Sequence, residues 1–270
     1  MIRRHVLLTG ATGGLGQSLA YAYAAPNVRL HLFGRDTAKL AALAETCREQ
    51  GASVTTVVVD VRDGQALCRH ILAADEAWPV DTVIAAAGVS NAVASDGRAE
   101  SLEDVRRVFA VNTLAAVETL SALAERLRRR GAGRLAIISS LGGYQGSSSS
   151  PSYSASKAAA RVYGDALRGW LAPYGVTVTV VCPGFVDSPM SRRYQGNKPL
   201  LWDAAKAARM IRDGIEHGRP TVAFPWSLAL GARLLGLLPA RVVDTLQRRF
   251  FSFSVAPDAE TVGSPTPQDH

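Results

Sequence analysis

His5-Val6-Leu7-Leu8-Thr9-Gly10-Ala11-Thr12-Gly13-Gly14-Leu15-Gly16 runs from a short apolar segment into a glycine-dense turn and then into residues that favour a helix. Strand, glycine turn and helix in that order form a dinucleotide-binding unit. Gly10 is expected to permit the tight turn leaving the strand, and Gly14 to let backbone N–H groups approach a pyrophosphate. Gly16 packs the helix closely, with its positive N-terminus toward the phosphates. The spacing is not GxGxxG, so a purely structural glycine loop competes with this reading. An export signal competes too: Arg3 and Arg4 resemble a charged leader, Val6 to Ala20 is fairly apolar, and Ala22-Tyr23-Ala24 looks like a cleavage site. Four glycines between Gly10 and Gly16 make a poor signal core, and export is set aside.

Outward from this unit, short β-branched runs alternate with longer helical stretches, the mark of a parallel sheet wrapped by helices. Strands are expected at His5–Thr9, Val28–Phe33, Val54–Val59, Thr82–Ala86, Arg134–Ser139 and Val176–Val181, with a seventh near Thr221–Phe224. Helices are expected near Leu15–Ala25, Thr37–Gln50, Gly64–Ala77, Leu102–Arg130, Tyr153–Ala172 and Ala204–His217. The strands are apolar nearly throughout, as when both sheet faces are covered. The fold class expected is α/β: a single Rossmann-like domain over residues 1–255, doubly wound around a mostly parallel seven-stranded sheet with helices on both faces. Residues 256–270 are polar and proline-bearing, and read as a disordered tail.

Hydrophobic residues make up 47% of the 270 residues and charged residues 20%, with a mean hydropathy of +0.07. That excludes a largely disordered chain. Three cysteines, far apart, form no CxxC and no zinc spacing with the five histidines. This argues against a disulfide scaffold and a metal site, and for a reducing, cytoplasmic setting. The net charge is +7, with arginines concentrated at Arg126, Arg128, Arg129, Arg130 and Arg134. Cations at a helix end complement its dipole, and Gly131 supplies the stop. No aromatic residues are interleaved for base stacking, so nucleic acid is not an expected partner.

The type of dinucleotide is decided at the tip of the second strand, Leu32-Phe33-Gly34-Arg35-Asp36. An acid there binds both ribose hydroxyls and repels a 2′-phosphate, whereas an arginine pairs with that phosphate. Gly34 and Arg35 fill the decisive places, and Asp36 reads as the N-cap of the next helix. NADP(H) is therefore expected over NAD(H). Asp60, closing the third strand, either accepts a hydrogen bond from the adenine amino group or serves as a turn or capping residue.

Tyr153-Ser-Ala-Ser-Lys157 opens a helix, and i,i+4 spacing puts the phenol and the amine on one face. An ammonium ~4 Å from a phenol is worth on the order of 4 kcal/mol at an effective dielectric of ~20, enough to bring a pKa of ~10 down to about 7. Such a phenol can protonate a developing alkoxide. An ordinary surface pair is the alternative. Further members of the set favour chemistry: Ser139 and Ser140 end a strand, Asn112 is a polar residue inside an apolar helix, and Cys182-Pro183-Gly184 begins a turn after the sixth strand.

Together, Thr9-Gly-x-x-x-Gly-x-Gly16, Asn112, Ser140, Tyr153-x-x-x-Lys157 and Pro183-Gly184 resemble the short-chain dehydrogenases/reductases, in order and spacing, from about residue 5 to 190. The resemblance implies that Tyr153 is the proton donor in carbonyl reduction. Lys157 would lower its pKa and bind the nicotinamide ribose, Ser140 would hold the carbonyl oxygen, and Asn112 would hold a water relaying to Lys157. It also implies cofactor contacts at Thr9, Gly10, Thr12, Gly13, Gly14, Leu15, Gly16, Arg35, Asp60, Val61, Ala87, Gly88, Pro183, Gly184, Val186 and Ser188, besides Asn112, Tyr153 and Lys157. No metal is implied. Dimers or tetramers would form through the helices beginning near Leu102 and Tyr153. Ala155, Ala158 and Ala159 either permit that contact or pack on the sheet. One departure is Ala85-Ala86-Ala87-Gly88, where the family has Asn-Asn-Ala-Gly; the lost amide leaves its hydrogen-bonding role to other groups.

Beyond Pro189 the resemblance stops informing. Met190 to Trp202 reads as a lid hinged at Gly196. Ser227–Leu238 and a helix through Phe251 either pack on the substrate pocket or a subunit, or lie on a membrane with Arg233, Arg241, Arg248 and Arg249 near anionic head groups. The apolar character of this end suggests a bulky apolar ketone or aldehyde as substrate. A β-ketoacyl thioester, its acidic carrier docked on Arg126–Arg130, is the alternative. A non-catalytic NADPH sensor is a third reading, against which the intact Tyr153–Lys157–Ser140 set argues.

Overall fold

The computed structural model describes residues 4–93, 98–250 and 254–255. The chain first alternates strand and helix: β1 (Arg4–Thr9), α1 (Gly14–Tyr23), β2 (Val28–Gly34), α2 (Thr37–Glu49), β3 (Ser53–Val58), α3 (Gly64–Ala77) and β4 (Thr82–Ala85). Then come α4 (Leu102–Phe109), a π-helical turn (Ala110–Leu114), α5 (Ala115–Arg130), β5 (Gly133–Ile138), α6 (Pro151–Leu171) and β6 (Val176–Pro183). The rest holds α7 (Pro189–Arg192), β7 (Tyr194–Gln195), α8 (Ala204–Glu216), β8 (Thr221–Phe224), α9 (Trp226–Leu235), α10 (Ala240–Phe250) and β9 (Ser254–Val255).

Seven strands form one sheet in the order β3-β2-β1-β4-β5-β6-β8, every pair parallel. The short β7 and β9 pair antiparallel beside it. Period-two alternation divides the core between the two faces. Val6 and Leu8 of β1 join Leu19, Leu40 and Ile211 on one side, and Leu7 joins Leu67, Ile71, Leu120 and Leu167 on the other. Strand order reverses between β1 and β4, which opens a crevice at their C-terminal ends.

Three expectations need correcting. Full burial of every strand fails at β3, the sheet edge, where Val58 is 53% exposed. The single helix expected over Leu102–Arg130 is interrupted by the π-helical turn, because Asn112 within it turns inward to bond the segment after β4. The arginine run at the end of α5 is not an open basic patch. Arg126 and Arg130 grip the buried Asp75, whose carboxyl also accepts from Val80 N at 2.9 Å, while Arg128 and Arg129 pair with Glu125. Burial favours the neutral acid at Asp75, but the two guanidiniums outweigh it and hold the carboxyl below its usual range. Gly131 stops α5 in the left-handed conformation, as expected. The expected disordered tail at 256–270 falls outside the described residues.

Candidate active site

A cleft of about 1120 Å³ runs across the C-terminal ends of the strands. Its floor is the turn from β1 to α1, where Gly10, Thr12, Gly13, Gly14, Leu15 and Gly16 line it. Gly10 takes φ +69, and a Cβ there would lie 2.5 Å from the backbone of Ala87, so only glycine fits. At Gly14 the close approach comes from the protein itself: a Cβ would sit 2.7 Å from Ser188 Cβ and 2.9 Å from Pro189 Cδ. Thr9 is buried below the floor and does not line the cleft.

At one end stand Gly34, Arg35, Lys39, Asp60, Val61 and Arg62. Asp36 caps α2, accepting from Lys39 N at 2.9 Å, as the sequence predicts. Asp60 behaves as a turn residue: Arg62 donates its backbone N–H at 2.9 Å and its Nη2 at 2.6 Å, which holds the carboxyl below its usual range. Lys39 and Arg62 escaped sequence reasoning, although Lys39 follows the cap Asp36 in the first turn of α2.

Midway, Ser140, Tyr153 and Lys157 meet. The ends of β5 and α6 place them, held together by Ser139, whose hydroxyl donates to Lys157 O at 2.7 Å. That bond leaves Ser140, not Ser139, to face the phenol; its Oγ also accepts from Gly142 N at 3.1 Å. Lys157 is buried, and its Nζ donates to Ile138 O at 2.9 Å while lying 6.0 Å from the Tyr153 ring centroid. Burial raises the Tyr153 pKa, the Ser140 hydroxyl pulling the other way, and burial lowers that of Lys157 from 10.5 to about 8. Burial thus opposes the acidified phenol expected from the sequence, and the Ser140 hydroxyl favours it.

Asn112 does not line the cleft. Its Oδ1 accepts from Val89 N at 2.8 Å, and its Nδ2 donates to Val89 O at 3.0 Å and to Ser156 Oγ at 3.0 Å. It thereby anchors the segment after Ala87 and Gly88, both of which line the cleft, and supplies the side-chain bonding that the alanines after β4 lack. Pro183, Gly184, Val186 and Ser188 line the adjoining wall. The Ser188 hydroxyl caps α7, accepting from Ser191 N at 3.1 Å.

The far end is mostly apolar: Leu141, Tyr194, Pro199, Leu228, Gly231, Leu235 and Leu238 line it, with the polar Gln145 and Ser227 among them. Met190, Ser191, Tyr194 and Pro199 come from the expected lid, which Trp202 pins by stacking on Phe224 with centroids 4.7 Å apart. Tyr194 and Leu228 fall in the two segments that the sequence places at the substrate pocket, whereas Gln145 was not predicted, since nothing local marks a residue delivered by a loop. On α6, Ala155 is exposed and Ala158 and Ala159 are half-buried; Ala160 and Gly164 lie against the sheet instead.

A sequence profile of the short chain dehydrogenase family matches residues 4–198. An uncharacterized oxidoreductase of Myxococcus xanthus is 36% identical over 250 residues, 92% of this chain and 98% of that protein. Ketoacyl reductase HetN of a Nostoc species is 35% identical over 183 residues, 67% of this chain and 63% of that protein. Among solved structures, an actinorhodin polyketide ketoreductase with NADPH is similar with a TM-score of 0.75 at 25% identity, covering 84% of this chain and 97% of its own. The profile match, the parallel seven-stranded sheet and the serine, tyrosine and lysine gathered in one cleft make this chain a member of the short-chain dehydrogenase family of oxidoreductases.

Proposed function

We propose that the chain reduces a bulky, apolar ketone or aldehyde with NADPH. The observation that carries this reading is the single cleft that joins a glycine cradle, a cationic end with Arg35 and Lys39, the Ser140–Tyr153–Lys157 group and an apolar end. The cradle fits a dinucleotide, since Gly10, Thr12, Gly13, Gly14, Leu15 and Gly16 line the cleft where α1 begins, so that backbone N–H groups and the helix N-terminus face a pyrophosphate. Arg35 and Lys39 would hold a 2′-phosphate, and a structural neighbour was solved with NADPH. When bound, the reduced nicotinamide supplies a hydride to the carbonyl carbon. Ser140 Oγ holds the carbonyl oxygen, Tyr153 Oη gives it a proton, and the Lys157 ammonium stabilises the phenolate left behind.

Steady-state turnover of NADPH and NADH with aromatic ketones, aliphatic aldehydes and steroids tests this. Tyr153→Phe should cost about 10²–10⁴-fold in kcat with cofactor binding retained. Arg35→Asp should cost about 10–100-fold in kcat/KM for NADPH. Unchanged kcat in the first variant, or a wild-type preference for NADH, would reject the assignment. The relatives with ketoacyl names favour a second reading, a β-ketoacyl thioester substrate, and acyl thioesters belong in the same screen. The arginine run that the alternative reading offers to a carrier is paired with Asp75, Glu76 and Glu125, which lessens its positive charge toward an acidic partner.

A further inference from the structure

We propose that the outer face of α9, continuing into α10, lies on an anionic lipid surface and turns the mouth of the cleft toward it. Trp226, Leu230, Leu234 and Leu237 follow one another along one side of α9 and its C-terminal turn, and are 76%, 50%, 51% and 80% exposed. Leu238 and Val242 extend the patch to α10. Contiguous apolar surface of this kind marks a partner or a membrane. The patch is also continuous with the cleft. Leu228, Gly231 and Leu235 line it from the opposite side of α9, while Leu234 and Leu238 both line the cleft and face outward.

Charge selects the occupant. Residues 226–250, which form α9 and α10, contain four Arg against one Asp. A second copy on this face would bring those cations together across a two-fold axis, whereas an anionic membrane neutralises them. α9 has ten residues, about 15 Å of helix against a hydrocarbon core of about 30 Å, so it lies on the surface rather than crossing it. Arg233, expected among the head-group cations, is exposed and donates to Tyr144 Oη at 3.0 Å, which ties α9 to the loop after Ser140. The side chains of Arg248 and Arg249 lie outside those described.

Flotation of the full-length protein with phosphatidylcholine vesicles, with and without phosphatidylglycerol, is the test. The wild type should float only with the anionic vesicles and come off at high salt. Leu230→Glu with Leu237→Glu, neither of which lines the cleft, should lower the bound fraction about tenfold. Turnover of a small soluble ketone and the mass in sedimentation velocity should not change. Absence of wild-type flotation, or equal flotation of the variant, would overturn the proposal. So would a fall in the variant's mass, which would make the face a contact between copies. Flotation needs no turnover, so an inactive wild type would count only against the proposed reaction.

Discussion

Replacing Lys157 by methionine should abolish turnover and yet remove a cost to folding that depends on pH. The amine is buried, and its described hydrogen bond is to a neutral carbonyl, Ile138 O at 2.9 Å. Burial accordingly lowers its pKa from 10.5 to about 8. The unfolded chain binds the proton more tightly, so the charged amine opposes folding at every pH below about 8, and that cost fades as pH rises toward 10.5. The difference corresponds to about 3 kcal/mol at neutral pH and about 1 kcal/mol at pH ~10. Methionine also leaves Ile138 O without a donor, a penalty of about 1–3 kcal/mol that does not vary with pH. The quantity to measure is therefore the change in the stability gap between wild type and Lys157→Met. Urea unfolding at one protein concentration should show the gap shifting by about 2 kcal/mol between pH ~7 and pH ~10, the variant being relatively more stable at the lower pH. A gap constant to within about 0.5 kcal/mol would refute the reasoning, for the amine would then be as well solvated in the fold as in the unfolded chain.

The neighbouring serines should separate into two roles. Ser140→Ala should lower kcat about 100-fold, whereas Ser139→Ala should mainly cost about 1 kcal/mol of stability by losing the 2.7 Å bond to Lys157 O; parallel kinetics and urea melts distinguish them. Asp75→Asn should destabilise by about 3–5 kcal/mol, since Arg126 and Arg130 would lose the charge they enclose. Because the folded carboxyl lies below its unfolded pKa, its contribution is present above pH ~4 and is lost as pH falls through the folded value. Acid titrations of stability should show that component in the wild type and not in the variant.

Local chemistry made most of the sheet legible. Thr221–Phe224 and Gly64–Ala77 have the ends that the pattern predicts, because β-branched runs and capped amphipathic stretches are set by neighbours in the chain. Asp36 likewise announces its cap by position alone. The exposed outer face of β3 was not legible, since being an edge depends on strand order and not on composition. Nor was the π-helical turn, which exists because Asn112 finds Val89 and Ser156, 23 and 44 residues away in the chain.

The sequence alone determined that a strand, a glycine turn and a helix would build a nucleotide cradle, and which serine, tyrosine and lysine accompany it; those depend on spacing within single elements. The tertiary structure decided how they act. It tied the Ser139 hydroxyl to Lys157 O, set the amine 6.0 Å from the centroid of the phenol ring and buried it. It also gathered the apolar wall from the segment 190–199 and a late helix. Proton affinity and pocket shape depend on dielectric surroundings and on contacts between distant segments, which no local pattern contains.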